Sequence, residues 1–189
     1  MKKVFKKQLE KDKTAFTNYK WIIEITITAF MLSFIFSMLS ESVIPNVNII
    51  IGLIVLVIFI IIGIIFDIIG VAVTAADIVP FNSMNSRKIK GADIAVKFKQ
   101  NAALVSSFCN DVVGDVCGII SGGAGSIIAL NISAHYHFDA FFTVLVISAI
   151  IAALTIGGKA LGKSFAINKS NIILYKFAKV ISCFYKIKN

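Results

Sequence analysis

Of the chain's 189 residues 58% are hydrophobic and 15% charged, with a net charge of +9 and a mean hydropathy of +0.89. Soluble domains run at roughly 45–50% apolar and about 25% charged residues, so this balance excludes a disordered segment, a disulfide-stapled secreted domain and an ordinary soluble enzyme. A single small integral membrane domain remains, all-α and polytopic.

The positive charge would suggest nucleic acid in a soluble protein, but its placement argues for a bilayer and against nucleic acid. Seven lysines fall within residues 1–20, Arg87, Lys88, Lys90, Lys97 and Lys99 fall in one central loop, and seven more lysines fall within residues 159–189. Between these clusters run four apolar stretches, at 21–39, 49–73, 102–132 and 138–156. Each approaches or exceeds the roughly 20 residues needed to cross about 30 Å of hydrocarbon at a helical rise. Four crossings bring both termini and the central loop to one side, which the positive-inside rule makes cytoplasmic. The connections on the other side, 40–48 and 133–137, contain no Lys or Arg. The expected organisation is therefore a basic N-terminus at 1–20, a transmembrane domain at 21–158 and a basic tail at 159–189, in a cell (inner) membrane.

In chain order, the first span follows a basic segment but lacks a small-x-small cleavage site near Met38 to Ser42, so it is expected to stay uncleaved. Tyr19 and Trp21 at its start suit an interfacial position. The second span carries Asp67. Residues 79–100 read as a short helical hairpin at the cytoplasmic surface, with Pro80 at a helix start and Gly91 as a break. Ile94, Val96 and Phe98 alternate with Lys97 and Lys99, a pattern that a strand would also satisfy. In the third span Asp111, Asp115, Gly118 and Gly122 recur at helical spacing, and Gly114, Gly118 and Gly122 form two overlapping GxxxG steps that suit a close helix contact, intramolecular or dimeric. His135 and His137 fit an interfacial turn or, if extended, a transition-metal pair. The tail sets Ile173, Phe177, Val180, Ile181 and Phe184 at helical spacing beside lysines. That describes either an amphipathic helix on an anionic leaflet or a helix packed on the hairpin. Cys109, Cys117 and Cys183 are read as reduced packing residues.

The chemistry-bearing residues are the acids in apolar stretches with no basic neighbour in sequence: Asp67, Asp111, Asp115 and, marginally, Glu24. Each costs about 2.5–3.5 kcal/mol at a helix centre, so a bound cation, a wet cavity, protonation or proximity to the interface must offset it. Asp67, Asp111 and Asp115 together with Asn110 and Ser107 form a hard-oxygen set free of His and Cys, which suits Mg²⁺, although a monovalent ion, a proton or plain interhelical hydrogen bonding would also satisfy these groups. No nucleophile and base pair, phosphate loop or zinc motif appears, so an enzyme is not expected.

Over residues 66–115 the runs F-D-I-I-G-V-A-V-T-A-A-D, N-S-R-K-I-K-G-A-D-I-A and N-A-A-L-V-S-S-F-C-N-D resemble the membrane domain of the CorB and cyclin-M magnesium transporter family, also called domain of unknown function 21. The resemblance implies Mg²⁺ binding with Asp67 and Asn110 at matching positions, Asp111 beside the latter, and a dimer. Two features depart from the family: Gly70 stands where an acidic residue is usual, and the paired nucleotide-sensing domains do not follow. The expected function is binding or transport of a divalent cation. The alternative is a non-transporting interaction protein with a glycine-rich helix face and a lipid-binding tail.

Overall fold

The computed structural model describes residues 19–43 and 48–184. The basic N-terminus up to Asn18, residues 44–47 of the first connection and the last five residues lie outside them, as does the Phe184 side chain. Among the described residues every element is a helix: α1 (Tyr19–Val43), α2 (Ile49–Ala75), α3 (Ile78–Ser86), α4 (Ala92–Gln100), α5 (Ala102–Ser107), a π-helical segment (Phe108–Gly114), α6 (Asp115–Tyr136), α7 (Ala140–Asn168) and α8 (Ser170–Phe184). Four stretches are long and apolar enough to cross a membrane, Tyr19–Met38, Ile49–Ala75, Ala102–Tyr136 and Ala140–Asn168, so the chain is a membrane protein.

Side-chain caps set where these helices begin. Asn48 accepts a hydrogen bond from the backbone N–H of Ile50, Asp77 from Val79 and Asp139 from Phe142, each satisfying a donor that the first helical turn leaves open. His137 closes α6 in the left-handed region. This places His135 in the last helical turn and His137 beyond it, so the two do not form an extended pair.

Helix α2 is the centre of the bundle and packs on α6, α7, the π segment and α8. Its buried residues Gly52, Leu56, Ile60, Gly63, Asp67 and Gly70 recur every three or four positions, the stripe that faces neighbours on a 3.6-residue helix. On the half of the bundle away from the basic residues, Leu56 and Ile60 meet Ala124, Ile128 and Ile151. On the basic half, Val73 joins Phe81, Ile94, Cys109, Leu174 and Ala178.

Small residues govern the approach of α7. A β-carbon at Gly158 would overlap the Ile64 side chain, and one at Gly162 would sit 2.7 Å from Ile68 Cγ1. Ile64 and Ile68 are one turn apart, so Gly158 and Gly162 form a GxxxG groove into which two α2 side chains fit. By contrast, nothing lies within 4 Å of the corresponding position at Gly118 or Gly122. The glycine series of the third span therefore divides: Gly114 packs between α2 and α7, while Gly118 and Gly122 face outward. Steps of four residues rotate by about 40° each around a 3.6-residue helix, so a run of eight leaves the contact face.

At the basic end, α3 and α4 pack on one another and α8 lies against α2 and α4. Gly91 adopts φ +85°, and the α8 backbone at Lys179 passes where its side chain would stand. Glycine meets both demands at once. Asn171 on α8 accepts a hydrogen bond from Asp77 N–H at 2.9 Å, and Phe98 and Phe177 pair at 5.7 Å. Lys99 donates to the carbonyls of Val73 and Thr74, neutralising the C-terminal end of α2. The three cysteines are free.

Candidate functional site

Between the two halves of the core, α2, α6 and α7 bring three charged groups together. Asp67 lies on the buried stripe of α2 and is 5% exposed. The Lys159 ammonium of α7 stands 3.7 Å from its Oδ1 and 3.8 Å from Oδ1 of Asp115, the first residue of α6. At 1.5 Å per residue the three lie between about 27 and 32 Å from the distal ends of their helices, near the edge of a 30 Å hydrocarbon layer.

The sequence leaves these acids without a basic partner, and Lys159 corrects that expectation. Sequence hydropathy ends the fourth span at Ile156 and assigns Lys159 to the tail, whereas α7 continues as one helix to Asn168. The Gly158–Gly162 contact then turns Lys159 toward α2. The ammonium passes beside Gly114, its Nζ 3.6 Å from the position a β-carbon would take there, an ordinary van der Waals distance.

At an effective dielectric constant of about 20, an ion pair at 4 Å gains about 4 kcal/mol, comparable with the insertion cost of one carboxylate. Two carboxylates against one ammonium leave the cluster with a formal charge of −1, and Asp115 is well solvated, with its side chain 68% exposed.

Asn110 enters from the π segment. Its Nδ2 donates to Ser106 Oγ at 3.3 Å. Its amide lies over Gly70, one turn along α2 from Asp67 on the same buried stripe, and a β-carbon at Gly70 would overlap its Oδ1. An acidic residue could not occupy position 70 with Asn110 so placed. Oδ1 of Asn110 and Oδ2 of Asp67 are both buried and accept no hydrogen bond. Buried polar atoms without partners are rare, and π-helical turns are frequent at functional sites, where the added residue re-aims side chains.

Asp111 is exposed and Ser107 is half-buried; the hydroxyl that meets Asn110 belongs to Ser106. Among the described residues no three or more His, Cys, Asp or Glu side chains gather into a metal-binding group. Sequence reasoning missed Lys159 and Ser106, and singled out Gly70 only as a departure from the family. The available signal for Lys159 was its i, i+4 relation to Lys163 on an apolar run with no breaker other than glycine. No family model, no curated protein and no solved structure matches this chain.

Proposed function

We propose that this protein is a CorB-like integral membrane protein that binds, and moves across a cell (inner) membrane, a divalent cation, Mg²⁺ first among them. The observation that carries the reading is the pair of buried, unpartnered oxygens, Asp67 Oδ2 and Asn110 Oδ1, on facing elements of a cluster with one negative charge in excess. Mg²⁺ is commonly held by one or two protein oxygens while retaining several waters, so a carboxylate and an amide oxygen suffice. Lys159 serves as the internal counter-ion: it neutralises Asp67 when no metal is bound and withdraws toward Asp115 when the metal arrives. Both termini and the central loop lie in the cytoplasm by the positive-inside rule, with the site near that face. The protein performs no covalent chemistry.

Isothermal titration of purified protein with Mg²⁺, followed by dye-monitored flux into vesicles, tests the reading. Binding is expected to fall at least tenfold in Asp67→Asn and Asn110→Ala and to persist in Asp111→Asn. No heat of binding at millimolar Mg²⁺ refutes it.

A second reading rests on a different observation. Gly118 and Gly122 have open space before them, and Asp111 and Asp115 are exposed on the same helix. That outward face suits another helix in the membrane, either a second copy, as the family resemblance implies, or a partner of a non-transporting interaction protein. Self-association without Mg²⁺ binding or flux selects this reading.

A further inference from the structure

A groove of about 470 Å³ runs between the basic ends of α2 and α7 and one face of α8. That volume is within the roughly 300–1,000 Å³ typical of small-molecule sites. Its walls are apolar, formed by Ile69, Phe165, Ile172 and Phe177 among others, and the two charged residues that line it are Lys169 and Lys176. No carboxylate lines it, and neither lysine forms an ion pair among the described residues.

Depth identifies the occupant. Ile69 lies about 30 Å along α2 from Ile49, at the edge of the hydrocarbon, whereas Lys169 lies about 43 Å along α7 from Ala140, past that edge on the polar side. The groove therefore spans the boundary between acyl chains and phosphates, apolar where the chains end and cationic where the phosphates lie. We propose that it is a binding site for one anionic phospholipid, its acyl chain against Ile69 and Phe165 and its phosphate between Lys169 and Lys176. This inference is independent of the cation reading, since none of the groove residues belongs to the Asp67 cluster.

The test uses the whole chain in detergent micelles, titrated with dioleoyl phosphatidylglycerol, dioleoyl phosphatidylcholine or glycerol phosphate and read by native mass spectrometry. Phosphatidylglycerol is expected to saturate at one molecule per chain, with phosphatidylcholine at least tenfold weaker and glycerol phosphate, which lacks the chains, not retained. A lysine near an anionic surface is worth roughly a fivefold change in affinity, so Lys169→Gln with Lys176→Gln should weaken phosphatidylglycerol roughly thirtyfold. Ile172→Trp, which fills the groove at an exposed position, should abolish retention while the helical circular dichroism is unchanged. Equal affinity for the two lipids, unsaturable uptake, or wild-type binding by the lysine variant overturns the proposal. So does a groove that closes by self-association in lipid-free micelles, or one that retains glycerol phosphate as well as lipid.

Discussion

The buried carboxylate of Asp67 is tolerated because Lys159 reaches it, and the two residues are energetically inseparable. With Asp67 nearly enclosed and the Lys159 side chain about one-fifth exposed, removing the ammonium strands a charge in a poorly solvated place. Breaking a fully buried pair costs about 3–5 kcal/mol. Discounted for the partial exposure of Lys159, Lys159→Met is expected to lose about 2–3 kcal/mol. Lys159→Met with Asp67→Asn should recover most of that loss, because the double change removes the orphaned charge. Thermal unfolding followed by circular dichroism in micelles closes this double-mutant cycle. Saturating Mg²⁺ should also restore Lys159→Met, since a metal replaces the lost cation. Equal stabilities for the single and double variants would show that Asp67 reaches water alone.

At the scale of helices, the packing of α7 on α2 is decided by Gly158 and Gly162, and the open face of α6 by Gly118 and Gly122. Gly162→Leu drives four carbons into Ile68 and should destabilise the monomer by about 1–3 kcal/mol through overpacking. Gly122→Leu meets open space and should leave monomer stability within about 0.5 kcal/mol. If that face binds a second copy, the same change should abolish the dimer in sedimentation velocity. An unaffected dimer would place any association elsewhere. The contrast also shows what the sequence discloses. Apolar runs of 20 residues mark the spans, and the spacing of Asp111, Asp115, Gly118 and Gly122 marks a shared helix face, because both are local patterns. The sequence does not disclose which GxxxG step is used, because that depends on rotation about the helix axis. A π turn at Phe108–Gly114 is equally silent, since one added residue per turn leaves the composition unchanged yet moves Asn110 inward and leaves Asp111 exposed. Lys159 reads as tail for the related reason that a charge ends a hydropathy window without ending a helix.

For the whole molecule, the described basic residues of the central loop and of α8 lie at one end of the helical bundle, where α4 and α8 pack against α2 and α3 packs on α4. Such a cap is stable on one side of a membrane only, because a lysine is costly to carry across hydrocarbon and the anionic inner leaflet attracts it once there. The native cysteines report the outcome without any engineered label. Cys183 is exposed on α8, at the basic end, whereas Cys109 and Cys117 are buried in the span. A membrane-impermeant maleimide should therefore modify one thiol per chain, Cys183, in inside-out vesicles, and none in right-side-out vesicles until the membrane is dissolved. Cys183→Ser should remove the signal altogether. Modification of Cys183 from outside intact cells would invert the topology, and the Asp67 cluster, lying at the same end of α2 as the cap, would then open to the opposite compartment. Cation uptake and cation efflux would exchange roles accordingly, so the labelling result fixes the direction in which any flux measurement must be read.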